Sequence, residues 1–129
     1  MKTILVDAIN TFVIKENGIF QEMHDLLEKY PNPKIIVTNA NDEQINFFKL
    51  DQMPYPLFTQ KHNPKKSDPN YFRELLKEYN LEVNSLCYFE HNADAVKSTE
   101  SIGITSYHYN PDLKDLNSLK AFLDRSLLN

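Results

Sequence analysis

Short apolar runs alternate with stretches of helical periodicity along this chain. Runs rich in β-branched, aromatic and other apolar residues occupy residues 3–6, 34–38, 55–59, 85–89 and 104–107. Continuous apolar runs of this length, without polar alternation, are typical of strands buried on both faces. Because helical patterns separate them, we predict a parallel, doubly wound α/β sheet of five strands.

A β-hairpin is predicted directly after the first strand. Residues 12–14 and 19–20 are apolar and flank the polar segment 15–18, which ends in Asn17-Gly18. Asn-Gly between apolar segments is a hairpin signal, since both residues tolerate positive φ. We therefore expect a small two-stranded flap beside the end of the first strand.

The helices carry recognisable starts and stops. Asn41 with Gln44 three residues later predicts a capping box, Asp68-Pro69 opens a helix, and Gly103 ends one. Pro31 and Pro33 are expected to stop the first helix. The residues expected on the inner faces of the helices are Phe20, Met23, Leu27, Tyr30, Phe72, Leu75, Leu76, Tyr79, Leu116, Leu119, Phe122, Leu123 and Leu127.

Size and charge restrict the class of protein. The chain has 129 residues, 41% of them hydrophobic and 25% charged, which predicts one folded domain over residues 1–129. A net charge of −4 argues against a nucleic-acid binder, although Lys61, Lys65 and Lys66 form a local basic segment.

The chain carries no pattern typical of secretion or of a membrane span. Its N-terminal apolar stretch is too short for a signal peptide and ends at Asp7. The single Cys87 lies in an apolar run and is expected to be a buried strand residue. We predict a cytoplasmic protein that does not bind membranes.

Polar residues lie at or just after the ends of three predicted strands, and one more lies in the segment that follows the third strand. Ligands of doubly wound sheets bind beyond the carboxyl ends of the strands. Asp7, Thr38, Lys66 and the pair Glu90-His91 occupy these places. We therefore expect their side chains to converge at one edge of the sheet, with the Lys66 amine within salt-bridge reach of Asp7.

The order of these residues resembles that of the haloacid dehalogenase-like (HAD) hydrolases. The resemblance implies a Rossmann-like three-layer α/β/α sandwich with parallel strands in the order 5-4-1-2-3 and a hairpin flap. It covers nearly the whole chain. The matching segments are Asp7-Ala8-Ile9-Asn10-Thr11, Thr38-Asn39, Lys66-Ser67-Asp68-Pro69, and Glu90-His91 with the helix that runs to Gly103.

The same resemblance implies roles for these residues. A carboxylate nucleophile can form an acyl phosphate and divide one difficult step into two. Asp7 would be this nucleophile, and Thr38, Asn39 and Lys66 would bind the phosphoryl group, with Thr38 and Lys66 also counted as catalytic. Mg²⁺ would be held by a set drawn from Asp7, the Ile9 carbonyl, Glu90, His91 and Asp94.

Two positions depart from the family pattern. Ile9 stands where phosphatases of this family carry a second Asp that protonates the leaving group, and Ile cannot donate a proton. His91 stands where a second acid usually binds Mg²⁺, which prefers oxygen ligands. We therefore expect Mg²⁺ binding to be weak or absent and turnover to be weak or lapsed.

No cap domain fits into the chain, because residues 8–37 and 39–65 are taken up by the predicted hairpin, helices and a short strand. An open cleft favours a large phosphorylated substrate, including a macromolecular one, or a second subunit that serves as a lid. The dehalogenases, which also carry Asp-Ala at the first motif and work without a metal, are only a partial parallel because they use a cap.

Three functions stay open on the sequence. The first is a HAD-like phosphohydrolase that acts through an aspartyl-phosphate on Asp7. The second is a non-catalytic binding or regulatory module on the same fold. The third is a Mg²⁺ phosphatase in which another residue, such as His91, supplies the proton.

Individual residues also have purely structural explanations. Thr38 could cap the turn that follows it, and Lys66 could be solvated surface, with Lys65 as a rival for its role. Glu90 and His91 could simply lead into the helix that begins near Asn92.

Overall fold

A five-stranded parallel sheet forms the centre of the computed structural model, which describes residues 1–61 and 63–128. Neighbouring strands lie in the order β5-β4-β1-β6-β7, and every pairing within this sheet is parallel. When the five parallel strands are numbered 1 to 5 along the chain and the sheet is read from β7 to β5, this is the predicted order 5-4-1-2-3. The strands are β1 (Thr3–Asp7), β4 (Lys34–Thr38), β5 (Leu57–Thr59), β6 (Leu86–Glu90) and β7 (Thr105–His108).

The two short strands β2 (Val13–Ile14) and β3 (Gly18–Ile19) pair antiparallel outside the main sheet. They form the predicted flap, and Gly18 takes the positive φ of 75° that its turn requires. The helices are α1 (Gln21–Leu27), α2 (Asp42–Phe48), α3 (Asn70–Tyr79), α4 (Ala93–Ser101) and α5 (Leu116–Ser126), with 3₁₀ turns at Leu50–Gln52 and Val83–Ser85.

The sheet divides the core into two layers of apolar side chains. Successive strand residues point to opposite faces. Ile4 and Val6 of β1 therefore pack with residues of α1 and α5, whereas Leu5 packs with residues of α3. Strand β6 follows the same alternation, with Cys87 in the first layer and Tyr88 in the second. Helices therefore cover both faces of the sheet, which forms a three-layer α/β/α sandwich.

Helix ends follow the local signals with small shifts. Asn41 and Gln44 form the predicted capping box at the start of α2. Helix α3 begins at Asn70, one residue later than predicted, although the Asp68 side chain still accepts from the Asn70 amide at 2.9 Å. Helix α1 ends at Leu27, before Pro31, because the amides of Lys29 and Tyr30 turn back to carbonyls three residues earlier.

Among the described residues, the structure has no helix that is both long and apolar enough to cross a membrane.

Candidate active site

Asp7 and Glu90 leave neighbouring strands on the same face of the sheet. Val6 pairs with Phe89, so the residues that follow them emerge side by side. Asp7 lies two residues after Leu5, and Glu90 lies two residues after Tyr88. Both Leu5 and Tyr88 point toward α3. The segment before α3 therefore reaches the two carboxylates.

Lys66, on that segment, joins the two carboxylates. Its Nζ lies 2.7 Å from Asp7 Oδ1 and 2.6 Å from Glu90 Oε1. The backbone holds the lysine in place, because the Lys66 amide donates to Asn39 Oδ1 at 2.6 Å and the Asn39 side-chain amide donates to the Pro64 carbonyl at 3.1 Å. Lys65 is exposed. The structure therefore places Lys66, and not Lys65, at the site.

The second carboxylate oxygen of Asp7 is surrounded by donors. The Thr11 hydroxyl donates to Oδ2 at 2.6 Å, and the His91 amide donates to it at 3.2 Å. The His91 ring contacts the same oxygen through Nδ1, and Nδ1 also lies 3.2 Å from Glu90 Oε2. Asp7 is thus buried, with charged partners on both of its oxygens.

Glu90 is fully buried, and both of its carboxylate oxygens also have hydrogen-bond partners. The Tyr88 hydroxyl donates to Glu90 Oε1, and the Asn92 amide donates to Oε2 at 3.1 Å. Burial and the two carboxylates raise the pKa of Tyr88 well above its ordinary value, so this group stays a hydroxyl donor at physiological pH. The Asn92 side chain also caps α4, as in the structural explanation of this segment.

The paired charges shift the pKa values of Asp7 and Lys66 in opposite directions. Burial by itself raises the pKa of Asp7, but Lys66 and His91 together outweigh it and hold the pKa well below its ordinary range. Burial lowers the pKa of Lys66, but Asp7 and Glu90 reverse this effect and raise it. Asp7 is therefore an anion and Lys66 a cation at neutral pH.

The pKa values of Glu90 and His91 are both raised. Burial and the neighbouring Asp7 charge raise the pKa of Glu90, against the opposing effect of Lys66. The hydrogen bonds of His91 to Asp7 and Glu90 raise its pKa to about 9. His91 is therefore an imidazolium at neutral pH, where an isolated histidine would be mostly neutral.

Thr38 ends β4 beside Asp7, and its hydroxyl accepts from the Ala40 amide at 3.0 Å. The structural explanation for Thr38, a cap on the following turn, thus holds in this structure. The hydroxyl keeps its own hydrogen, which can be donated to a ligand. Asn39 is half-buried and orients Lys66 through its side chain.

Tyr71 on α3 forms hydrogen bonds with the backbone at the end of β4. Its buried hydroxyl accepts from the Thr38 amide at 2.9 Å, and its hydrogen can be donated to the Thr38 carbonyl at 2.7 Å or to the Phe58 carbonyl at 3.0 Å. Tyr71 therefore positions Thr38.

Tyr71→Phe should lower the free energy of unfolding by about 1 to 3 kcal/mol, because it leaves buried backbone groups of Thr38 without their partner. Tyr79→Phe is the matched control on the same helix, since Tyr79 is only half-buried. Urea denaturation of both variants checks this. Equal, small losses in the two variants would contradict the role of the Tyr71 hydroxyl.

One of the predicted metal-binding residues lies outside the cluster, because Asp94 is exposed on the first turn of α4. The Ile9 side chain is half-buried and packs against the core beside Val13, and only its carbonyl oxygen could serve as a ligand. Within residues 1–61 and 63–128, Asp7, Glu90 and His91 form the group whose candidate ligand atoms lie within 4.8 Å of one another. The candidate metal ligands of this group are two carboxylates and one imidazole.

Three residues of the site had no role predicted from the sequence. Thr11 stands within the first motif, so its contact with Asp7 had a signal in the spacing of four residues. Tyr88 lies two positions before Glu90, a spacing that places both on one face of a strand. Tyr71 had no such signal, because its partner Thr38 lies on a different element.

Comparisons with known proteins agree with this architecture at the level of fold. No family model matches the chain, and no curated protein matches it in sequence. Solved structures do match. A HAD family enzyme from Bacteroides thetaiotaomicron, an alanine variant in complex with magnesium and inorganic phosphate, has a TM-score of 0.75 at 9% identity, over 92% of this chain and 98% of that chain.

Two further structures show the same likeness. D,D-heptose 1,7-bisphosphate phosphatase from B. bronchiseptica, complexed with magnesium and phosphate, has a TM-score of 0.63 at 15% identity, over 92% of this chain and 87% of that chain. A HAD-superfamily hydrolase from Ehrlichia chaffeensis has a TM-score of 0.64 at 14% identity, over 92% of this chain and 66% of that chain. The chain has the fold of the haloacid dehalogenase-like hydrolases.

Proposed function

We propose that this chain is a HAD-like phosphohydrolase in which Asp7 attacks phosphate monoesters and turns them over slowly. The observation that carries this proposal is the position of Lys66 Nζ, 2.7 Å from Asp7 Oδ1 and 2.6 Å from Glu90 Oε1 at the carboxyl ends of two strands. A buried carboxylate held as an anion beside a cation is a suitable nucleophile for a phosphoryl group.

The reaction has two steps. Asp7 Oδ1 forms a bond to phosphorus while the bond from phosphorus to the ester oxygen breaks, and the ester oxygen leaves with the electron pair. Water then attacks the acyl phosphate, which releases inorganic phosphate and restores the Asp7 carboxylate. Lys66 stays beside both the carboxylate and the transferred group, and its charge offsets the negative charge that develops there.

Recognition of the phosphoryl group is assigned to the neighbouring donors. Lys66 supplies a charge, the Thr38 hydroxyl supplies a hydrogen bond, and Asn39 fixes Lys66 in place. The solved neighbours that contain phosphate have this fold, which supports a phosphorylated ligand here. We also propose that residues 1–129 form one core domain without a cap. A macromolecular phosphoester or a second subunit could then cover the open cleft.

The slow rate follows from Ile9. General acid catalysis contributes about 10² to 10⁴ in rate, and the aliphatic Ile9 side chain cannot donate a proton to the leaving oxygen. Esters whose leaving group is stable as an anion lose least from this change. We therefore assign the residual activity to activated esters such as p-nitrophenyl phosphate.

We expect slow hydrolysis of p-nitrophenyl phosphate by the unmodified protein and little or no hydrolysis of an alkyl phosphate. Asp7→Asn should abolish the activity, because an amide cannot form the acyl phosphate. Asp25→Asn, the same change at an exposed helix position, is the control and should leave the rate unchanged. Release of p-nitrophenol, followed by absorbance, measures all three proteins. Brisk turnover of alkyl phosphates would contradict the proposal.

A binding module without catalysis is the second candidate, and one observation favours it. Both oxygens of Asp7 already accept hydrogen bonds or ion pairs, and the carboxylate is buried. Such a carboxylate is stabilised as a structural anion. This candidate becomes the better one if the folded protein binds inorganic phosphate but does not hydrolyse p-nitrophenyl phosphate, and if Asp7→Asn leaves that binding unchanged.

A further inference from the structure

Four charged side chains close into a ring at the ends of β1 and β6. Lys66 bridges Asp7 and Glu90 on one side, at 2.7 and 2.6 Å. The His91 ring bridges the same two carboxylates on the other side, through its contact with Asp7 Oδ2 and at 3.2 Å from Glu90 Oε2. We call Asp7, Lys66, Glu90 and His91 the charge ring.

The charge ring is balanced without a metal. The family pattern would place carboxylates at positions 7, 9, 90 and 91 against one lysine, which gives four negative charges and one positive charge, a sum of −3. This chain has two carboxylates, Asp7 and Glu90, against Lys66 and the His91 ring, whose Nδ1 faces one oxygen of each carboxylate, so the sum is zero when that ring carries both of its protons. The electrostatic demand for a divalent cation is therefore absent from these four residues.

The residues of the ring do not fit Mg²⁺. This ion prefers six oxygen ligands in near-octahedral geometry at about 2.0 to 2.1 Å and binds imidazole poorly. Here the third candidate ligand is a ring nitrogen, which contacts Asp7 Oδ2, while Lys66 occupies Asp7 Oδ1.

We propose that His91 and Lys66 together take the place of a divalent cation, so that the Asp7 site binds a phosphoryl dianion without any metal. This inference rests on the proposed function, because it concerns the same site. The burial pattern supports it. The two carboxylates are buried, whereas the Lys66 and His91 side chains are 13% and 28% exposed, so an arriving anion meets the cations first.

Calorimetric titration with inorganic phosphate tests the inference on the unmodified protein, once in EDTA and once in excess MgCl₂. We expect the two affinities to agree within about twofold, because the cations that hold the phosphate belong to the chain. His91→Asp should weaken binding in EDTA by at least about tenfold and regain it in MgCl₂, because it replaces a cation by an oxygen ligand.

Controls separate the possible failures. His108→Asp makes the same change at an exposed histidine just outside the ring, and it should behave like the unmodified protein. If His91→Asp does not fold, His91→Gln should lose at least about tenfold in EDTA and regain nothing in MgCl₂.

Phosphate binding by the unmodified protein that appears only with MgCl₂ overturns the inference and leaves the phosphohydrolase proposal standing. A folded protein that binds no phosphate in either buffer overturns both.

Discussion

Hydrolysis of an alkyl phosphate should rise by about 10²- to 10⁴-fold in excess Mg²⁺ when Ile9 and His91 are both replaced by aspartate. Ile9→Asp places a carboxylic acid two residues after Asp7, the proposed nucleophile, where the family pattern has its proton donor. His91→Asp opens the charge ring at Asp7 Oδ2 and supplies a third carboxylate. The site would then have the oxygen ligands that Mg²⁺ prefers.

The leaving group gives this prediction its control. Hydrolysis of p-nitrophenyl phosphate should rise much less than that of the alkyl ester, because p-nitrophenolate needs little protonation. A variant carrying Ile14→Asp and His108→Asp makes the same two chemical changes on the flap and at the end of β7, and should gain nothing on either substrate. A gain of equal size on both substrates would show that proton donation is not the missing element.

Lys66→Ala should destabilise the folded protein by about 3 kcal/mol near neutral pH. The change leaves Asp7 and Glu90 buried and side by side, with His91 as their remaining cation. Removing one partner of a buried ion pair costs more than the pair contributes, because the remaining charge keeps its desolvation penalty. Lys65→Ala, at the exposed neighbouring position, should change the free energy of unfolding by no more than about 0.5 kcal/mol.

The pH dependence follows from the direction of the pKa shifts. In the unmodified protein the pKa of Asp7 is depressed, so this residue stabilises the fold above its unfolded pKa and the contribution is lost as the pH falls through the folded pKa. Without Lys66 the carboxyls should bind protons more readily. The deficit of Lys66→Ala should therefore shrink between neutral pH and about pH 5, as measured by urea denaturation. A deficit that stays constant with pH would show that lost packing, not charge, is the cause.

The strand pattern of this fold was predictable because each parallel strand is a continuous apolar run. Strand β4 has the predicted bounds, Lys34–Thr38, and all five of its residues are buried. Helix ends were less accurate. The end of α1 depends on the Lys29 and Tyr30 amides, which donate to carbonyls three residues earlier, and the position of Pro31 alone does not determine these bonds.

The convergence of Asp7, Lys66 and Glu90 followed from the rule that parallel strands end at one edge, although Asp7 and Lys66 are 59 positions apart. The bond between Tyr71 and Thr38 could not be predicted in this way. It depends on the depth at which α3 packs against the sheet, and that depth is set by the side chains of both.

The charge ring ties the fold and the chemistry to the same side chains. Asp7, Lys66 and Glu90 connect the ends of β1 and β6 to the start of α3, so selection for a folded chain would retain them even after catalysis had ceased to matter. Position 9 is under no such constraint. An acid there serves turnover alone, and Ile9 instead gains contact with the core. If the proposed chemistry is correct, a lineage with this architecture would lose its rate first at position 9 while Asp7 stays in place.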